Sequence, residues 1–321
     1  MRWQRVAGDH RDGWLDTISV FVMPTLPALC IAATPTKRNG LLDLAARAEA
    51  RGFAGLACTG TGGNLAMCLS VLHATQVVPV FAAIQPIYFA HATETAATAA
   101  HLAEVGGGRF RLGLGVSHEP LLNRLAVANG NPLNDMREYV LAIRANDRVG
   151  TLPPIIVAAL RNRMLDLALE VGDGAMWANA SLSYMPSQVE RIPPHRRDTF
   201  DLSNMVPTVI DRDLAAARAV HRRTLSAYVT LPNYRNYWKA AGYEQEMADI
   251  EAAIAKRDRE ASAEAMTDQW VDDCTISGSG GAVRDRIEEW QSVGVAPMVV
   301  MSSTSGGQAK AIQELFDAYA S

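Results

Sequence analysis

The sequence predicts an α/β fold, a TIM-type (β/α)8 barrel, and three observations lead to that prediction. Short apolar runs alternate with longer amphipathic runs, which is typical of a parallel sheet built from strand–helix units. Eight apolar runs of strand length can be counted. The chain has 321 residues, more than the roughly 250 of a typical barrel of this kind. Eight strands in such a chain favour a closed barrel over an open, doubly wound sheet.

The predicted strands are short and apolar, and amphipathic helices lie between them. In the first helix Leu41, Leu44 and Ala48 recur at helical spacing, so one face is apolar and the other faces solvent. The strands are predicted at 28–33, 53–58, 77–84, 109–116, 154–159, 175–179, 204–210 and 297–302. The helices between and after them are predicted at 40–51, 64–74, 92–105, 134–145, 163–171 and 307–320.

Two stretches do not belong to the strand–helix alternation of this single domain, 1–321. Residues 211–291, before the last strand, are too long for one crossover and predict a helical insertion packed on the barrel. Two or three helices are expected there, with 212–227, 243–257 and 285–293 the clearest. Residues 1–27 predict an N-terminal extension, in which 18–23 is a candidate for an added strand or a plug of one barrel end.

The distribution of charge excludes several classes of partner. Residues 52–93 contain no Asp, Glu, Lys or Arg, but glycines, prolines and amides interrupt this run before it reaches the about 20 apolar residues of a membrane span. Prolines also interrupt the uncharged stretch 17–36, which argues against a secretory signal. The 30 basic and 34 acidic residues are dispersed and give a net charge of −4, unlike a nucleic-acid-binding surface. We expect a cytoplasmic protein that binds neither nucleic acid nor membrane.

Binding residues of a barrel lie at the carboxyl ends of its strands. After the fifth strand, Ala159-Leu160-Arg161-Asn162 combines free amides at a helix start with a cation, which suits a phosphate group. Solvent-exposed arginines explain the same residues equally well. The serine- and glycine-rich residues 302–307, after the last strand, compete for the same ligand. The two glycines of the fourth strand, Gly113 and Gly115, indicate either a bulky ligand or a crowded neighbouring strand.

Candidate proton donors follow the third and fourth strands, namely Tyr88, His91 and His118. Each histidine is also consistent with an ordinary structural hydrogen bond. The sequence shows no nucleophilic triad, no Walker loop and no cluster with metal-ligand spacing, and Glu119 is the one acid at a predicted strand end. The residues therefore favour chemistry carried by a bound cofactor, and hydride transfer fits them.

Five segments together carry a resemblance to a known family. They occur in the family's order and read LLDLAARAEARGFAGL, GGGRFRLGLGVSHEPL, NDMREYVLAIR, PPIIVAALRNRMLDLALEVGDGAMWAN and SAYVTLPNYRNYWKAAGY. The chain resembles the luciferase-like family, specifically its branch of deazaflavin (coenzyme F420)-dependent oxidoreductases and hydride transferases. The resemblance implies a barrel, a homodimer, and a tricyclic cofactor, F420 or alternatively FMN, across the carboxyl ends of the strands.

The resemblance also implies which residues contact the cofactor. A bulge at the end of the third strand, often with a non-prolyl cis peptide, presses on one face of the ring and maps to Ala83, Ile84 and Gln85. The resemblance places Ser117, His118, Arg137, Ala159, Leu160, Arg161 and Asn162 near the phosphate-bearing tail. The strand ends themselves add Thr59 and Gly115 to the predicted cofactor residues. Two departures stand out: Arg161-Asn162 replaces a common Gly-Pro, and the second strand ends without the acid or histidine that relatives often place there.

Three functional hypotheses follow from these residues. The first is hydride transfer between the deazaflavin and a small organic substrate, with reduction of an activated C=C or C=N bond and His91, His118 or Tyr88 as proton donor. The second is an FMN-dependent monooxygenase of the same fold. The third is a degenerate member that binds a ligand without turnover, because the acid of the second strand is missing.

Overall fold

A closed barrel of parallel strands forms the centre of the computed structural model, which describes residues 26–32, 36–60 and 62–320. The strands are β1 (Ala28–Ala32), β2 (Gly55–Thr59), β3 (Val80–Pro86), β4 (Phe110–Gly115), β5 (Ile155–Ala158), β6 (Gly174–Ala178), β7 (Asp201–Ile210), β8 (Ile276–Gly278) and β9 (Ala296–Ser302). Every pairing is parallel, and the β6–β7 pairing closes the barrel. The predicted (β/α)8 fold is confirmed, with all eight predicted strands present as β1–β7 and β9.

Side chains alternate between the barrel interior and the helix-facing side, as the period of two in a strand requires. Small residues and a few long ones fill the interior, among them Ala28, Ala57, Ala83, Phe81 and Met298. Their neighbours along the strands pack outward under the helices in a separate, much larger apolar cluster. The small interior residues leave the carboxyl ends of the strands open to a cavity.

Helices surround the barrel and alternate with its strands. Six of them confirm the predicted helices to within three residues at each end, and the short α4 and α7 were not predicted. The helices are α1 (Arg38–Ala50), α2 (Asn64–Ala74), α3 (Ala92–Val105), α4 (Glu119–Arg124), α5 (Pro132–Arg144), α6 (Asn162–Val171), α7 (Met185–Glu190), α8 (Leu214–Leu225), α9 (Pro232–Ala240), α10 (Glu244–Lys256), α11 (Arg259–Glu264), α12 (Asp268–Cys274), α13 (Gly280–Ser292) and α14 (Gln308–Ala318).

The predicted insertion 211–291 is present but more divided than expected. It contains six helices, α8 to α13, and the short strand β8, which pairs with the end of β7 through Thr208–Ile210. The prediction of two or three helices was wrong because several of these helices have nine residues or fewer, too short for the windows in which helical periodicity is legible. The strand β8 was not predicted, because three residues are too few to show an alternation of apolar and polar side chains.

Buried polar contacts fix the insertion to the loop after β6. The Asp273 carboxylate accepts hydrogen bonds from the Ser183 amide at 2.9 Å, the Ser183 hydroxyl at 2.7 Å and the Tyr243 hydroxyl at 2.9 Å. The Trp238 indole packs edge-on against Trp270, with ring centroids 4.8 Å apart. These contacts hold α9 and the preceding loop against the mouth of the barrel.

Two sequence-based expectations concern the chain ends and the membrane. Residues 1–25 of the predicted extension, with the candidate strand at 18–23, lie outside the described residues. Within the described ranges, none of the helices combines the length and the apolar composition that a bilayer span requires.

Candidate functional site

A cavity of about 1080 Å³ lies at the carboxyl ends of the barrel strands. Strands around the barrel contribute to its wall, and the loops after β4, β5 and α8 extend it. Among the sequence-predicted site residues, those that line it are Thr59, Ala83, Ile84, Tyr88, Gly115, Ser117, His118, Ala159, Leu160, Arg161 and Asn162. The topology therefore brings together most of the predicted set.

The predicted bulge of β3 is present and forms part of the cavity wall. The register with β4 shifts between Ala82 and Gln85, and the Ala83–Ile84 peptide bond is cis. A Cβ atom on Gly113 would lie 2.1 Å from the Ala82 carbonyl oxygen, and one on Gly115 would lie 2.7 Å from Ile84 Cδ1. The two glycines of β4 are thus explained by the neighbouring strand, since only glycine leaves room for the bulge.

Asn64, which the sequence reasoning did not select, anchors this bulge. Its side-chain amide donates to the Ile84 carbonyl at 2.9 Å and to the Gly60 carbonyl at 3.1 Å. Asn64 is the first residue of α2 and follows Gly63, whose φ of +73° is left-handed. The amide therefore couples the loop after β2 to the β3 bulge. The one sequence signal was an asparagine directly after a glycine-rich turn, which does not specify its partners.

His118 lies in the wall after β4 and packs against two tyrosines of the insertion. Its imidazole is edge-on to Tyr234 at 5.7 Å and to Tyr228 at 6.4 Å between ring centroids. Burial lowers the pKa of His118 below its ordinary value, so the ring is uncharged at neutral pH. No described residue hydrogen-bonds the imidazole, and of the described lining residues His118 is the one histidine.

Tyr88 lines the cavity, but its hydroxyl proton already forms a hydrogen bond. Its hydroxyl donates to Asp135 Oδ2 at 2.6 Å, and the same oxygen accepts from the Gly130 amide at 2.9 Å. Burial first, and then the Asp135 carboxylate, raise the pKa of Tyr88. Loss of the Tyr88 proton is therefore unfavourable, and the hydroxyl serves better as a fixed wall group than as a proton donor.

Three predicted residues lie outside the cavity wall. His91 is exposed, and its Nδ1 accepts from the Thr93 amide at 3.2 Å as the cap of α3. Gln85 sits on the bulged strand, where its amide nitrogen lies 3.5 Å from the Pro86 carbonyl oxygen. Arg137 forms a two-pronged ion pair with Glu170, both contacts at 2.8 Å. It lines a polar cleft of about 450 Å³ that adjoins the main cavity and shares Leu133 and Arg163 with it. The structure brings none of these three to the main cavity.

The loop between β5 and α6 supplies the cationic part of the wall. Arg161 caps α6, whose first residue is Asn162, and Arg163 follows. Neither arginine makes a side-chain hydrogen bond or ion pair with any described residue, and both line the cavity. Free amides at a helix start together with unpaired guanidinium groups form an environment suited to an anion.

The competing loop after the last strand does not reach the cavity. Its polar side chains contact one another, the last helix or the loop after β7. Ser303 donates to Glu314 at 3.0 Å, and Thr304 donates to Asp211 at 2.6 Å. None of residues 302–307 lines the cavity. The sequence offered two loops as anion-binding sites, and the structure leaves the loop after β5 as the candidate.

The end of β2 carries no acid among its described residues, as the sequence indicates. Thr59 occupies the last position of the strand and donates to the Ile31 carbonyl at 3.3 Å. The described charged residues of the cavity wall are Glu119, Arg161 and Arg163. The described residues at the end of β2 thus include no acid–base side chain, whereas His118 and Glu119 after β4 both line the cavity.

Asn179, after β6, contributes a second polar group that sequence reasoning missed. Its φ is +55°, its amide donates to the Met205 carbonyl at 3.0 Å, and its carbonyl accepts from the Trp238 indole at 3.1 Å. The residue is 4% exposed and lines the cavity, and its side-chain amide interacts with the Tyr234 hydroxyl.

Comparison with known proteins gives a consistent set of relatives. A family model described as luciferase-like monooxygenase matches residues 13–296. A 5,10-methylenetetrahydromethanopterin reductase of Archaeoglobus fulgidus is 27% identical over 254 residues, which cover 68% of this chain and 75% of that protein.

Solved structures share the fold at low identity. The coenzyme F420-dependent tetrahydromethanopterin reductase of Methanopyrus kandleri superposes with a TM-score of 0.67 and 17% identity, covering 90% of this chain and 97% of that one. The oxygenating constituent of 3,6-diketocamphane monooxygenase of Pseudomonas putida, in complex with FMN, superposes with a TM-score of 0.60 and 12% identity, covering 93% and 98%. Both F420 and FMN therefore occur with this fold.

Proposed function

The chain belongs to the luciferase-like monooxygenase family, and from that premise we propose that it is an oxidoreductase that uses coenzyme F420. It transfers a hydride between the deazaflavin and a small organic substrate, with reduction of an activated C=C or C=N bond as the reaction. Its similarity in sequence to a 5,10-methylenetetrahydromethanopterin reductase, and in fold to the coenzyme F420-dependent tetrahydromethanopterin reductase, supports the choice of F420 over FMN.

One observation carries the proposal, the division of the cavity into two chemically different ends. Unpaired Arg161 and Arg163 stand at the β5 end, while the β6 and α9 end is aromatic and carries His118 beside it. A cofactor with an apolar ring and an anionic tail fits the first end and the bulge of Ile84 next to it. The second end is then free for a substrate.

Different residues of this chain suit the ring and the phosphate of the cofactor. The Ala83–Ile84 bulge offers an apolar surface for a flat ring, while Arg161 and the amides of Asn162 and Arg163 would hold a phosphate. When bound, the deazaflavin supplies a hydride donor or acceptor that handles electrons in pairs. The protein then has to orient the substrate, exclude water and move one proton.

His118 is the proposed proton-transfer residue. In the reductive direction its imidazolium form donates a proton to the substrate while the hydride is delivered to the other atom of the double bond. Burial lowers the pKa of His118, so reduction is favoured at lower pH and the uncharged ring accepts a proton in the reverse, oxidative direction. Tyr88 remains bonded to Asp135 and orders the wall.

The test is anaerobic turnover of reduced F420, followed by its absorbance, with a panel of enones and cyclic imines. We expect F420 oxidation with at least one member of the panel and a loss of about a hundredfold or more in His118→Gln. His91→Gln is the matched control and should retain the activity, because His91 lies outside the cavity. Turnover that requires FMN and oxygen, and never F420, would overturn the proposal.

A further inference from the structure

We propose that the Tyr228 hydroxyl is a specificity-determining group that donates a hydrogen bond to the carbonyl oxygen of an α,β-unsaturated ketone. The inference rests on the proposed function and deepens it, because it selects the activated C=C bond over the C=N bond. It also names the substrate class of the aromatic end of the cavity. Its test requires no cofactor.

Most polar side chains at the aromatic end of the cavity already have partners within the protein. From β6 onward the described lining residues include no charged side chain. The pairs formed there are Asn179 with the Tyr234 hydroxyl, the Ser181 amide with the Tyr237 hydroxyl at 3.1 Å, the Thr224 hydroxyl with the Val220 carbonyl at 3.2 Å, and the Thr230 hydroxyl with the Ala227 carbonyl at 2.6 Å. A ligand would have to break one of these contacts in order to use the group.

Two phenol groups of this wall have no partner among the described residues. Tyr184 and Tyr228 are half-buried and line the cavity, and neither hydroxyl forms a hydrogen bond with a described residue. The other unpaired polar side chains are less suitable, since Trp177 is 1% exposed with its Nε1 atom buried, and Asn233 is exposed to solvent. A phenol can donate a hydrogen bond, so a ligand acceptor at this end can pair with one of these two tyrosines.

Tyr228 is the tyrosine of the two that lies beside His118. The ring centroids of Tyr228 and His118 are 6.4 Å apart, with the rings at 89° to each other. Tyr184 packs instead against Tyr237, at 5.8 Å between ring centroids. A small substrate in contact with His118, the proposed proton-transfer residue, therefore lies next to the Tyr228 ring as well.

Backbone hydrogen bonds and ring contacts hold Tyr228 in place between α8 and α9. Its amide donates to the Leu225 carbonyl at 2.9 Å, and its carbonyl accepts from the Leu231 amide at 2.9 Å. Its ring also contacts Tyr234 edge-on, with the centroids 5.0 Å apart. A donor fixed in this way loses little freedom when a ligand binds, and this favours selectivity.

An unsaturated ketone makes use of both His118 and Tyr228. In its reduction a hydride from the reduced cofactor adds to one carbon of the C=C bond and the His118 proton adds to the other, so the carbonyl group is intact in the product. Negative charge develops on the carbonyl oxygen during hydride addition, and a hydrogen bond from Tyr228 stabilises it. Reduction of a C=N bond places the hydride on carbon and the proton on nitrogen, and it leaves no acceptor for a second donor. The ketone is also uncharged, as a wall without counter-charges requires.

The experiment compares benzylideneacetone with the hydrocarbon in which a CH2 group replaces its carbonyl group. Dissociation constants are measured by ligand-observed NMR without cofactor for the wild type, Tyr228→Phe and Tyr184→Phe. We expect Tyr228→Phe to weaken binding of the ketone by about threefold to tenfold and to leave the hydrocarbon within about twofold. Tyr184→Phe is the matched control, because it removes an equally unpaired hydroxyl away from His118, and it should leave the ratio of the two constants unchanged.

A spectroscopic readout separates hydrogen bonding from a change in packing. The carbonyl stretch of 13C-labelled benzylideneacetone should shift to lower frequency on binding to the wild type and to Tyr184→Phe, and less on binding to Tyr228→Phe. Equal losses for both ligands in Tyr228→Phe, an equal loss for the ketone in Tyr184→Phe, an unshifted carbonyl in the wild type, or failure of the ketone to bind the wild type would overturn the inference. Failure of the proposed cofactor would instead show in F420 turnover and leave these binding constants unaffected.

Discussion

The imidazole of His118 meets the ring of Tyr234 edge-on, with the ring centroids 5.7 Å apart, and this contact joins the barrel to its insertion. His118 follows β4, whereas Tyr234 belongs to α9, more than a hundred residues later. The insertion thereby buries a titratable group of the cavity wall and lowers its pKa. The proposed proton transfer thus depends on a helix that is not part of the eight-fold repeat.

The pH dependence of reduction should follow His118. Because its folded-state pKa is below the ordinary value of about 6.5, the rate of reduction should fall as pH rises, with a midpoint below about 6.5. Tyr234→Ala admits water to the imidazole and should move this midpoint upward. The measurement is kcat/KM for F420-dependent reduction from pH 5 to 8. A midpoint that is the same in both proteins would contradict the role of the contact.

Cofactor affinity should depend on the arginines of the β5–α6 loop. Arg161→Gln and Arg163→Gln should each weaken F420 binding by about tenfold, the usual effect of removing a hydrogen bond to a charged group. Arg137→Gln is the matched control, since Arg137 is paired with Glu170 and does not line the main cavity, and should change affinity less than about twofold. Equilibrium fluorescence titration measures all three. An equal loss in Arg137→Gln would place the anion site elsewhere.

The β3 bulge leaves no room for a side chain at the glycine positions of β4. Gly115→Ala places a Cβ atom 2.7 Å from Ile84 Cδ1 and 3.2 Å from Ala158 Cβ, so Ile84 must move. We expect about 1 to 3 kcal/mol less stability in chemical denaturation, together with weaker cofactor binding. Gly62→Ala is the control, because a Cβ atom there has no neighbour within 4 Å. If Gly115→Ala matched Gly62→Ala in both measurements, the bulge would not constrain the site.

A buried histidine outside the cavity should make stability depend on pH. His221 is fully buried, its Nε2 lies 3.2 Å from the Ile276 carbonyl oxygen, and burial lowers its pKa to about 4. Since the unfolded chain takes up this proton at higher pH, stability is complete above about pH 6.5 and falls as pH drops toward 4, by up to about 3 kcal/mol. Urea unfolding at pH 7 and pH 5 measures the loss. His221→Gln should reduce that difference, and an unchanged difference would contradict this assignment.

Much of the fold could be predicted from the sequence because its signals are local. The strands are continuous apolar runs, and α2 and α3 begin and end at the residues that their periodicity indicates. The bulge with a cis peptide at Ala83–Ile84 was implied by the resemblance to the family, because related proteins keep the same backbone geometry even at low sequence identity.

The remaining features depend on contacts between distant residues. Arg137 was expected at the cofactor, but it pairs with Glu170 on the next helix and does not line the main cavity. Asn64 and Asn179 gain their roles from the β3 bulge and from Trp238, partners that no sequence spacing specifies. The sequence makes Tyr88 a candidate proton donor, whereas in the structure its hydroxyl donates to Asp135. Each of these depends on the direction of a side chain in the folded protein.

The central claim is that this barrel uses a deazaflavin, and equilibrium binding of F420 and FMN to the same purified protein tests it most directly. The account predicts that F420 binds at least about tenfold more tightly than FMN, a difference of about 1.4 kcal/mol. Tighter binding of FMN would contradict the account, and so would the absence of measurable binding of either cofactor.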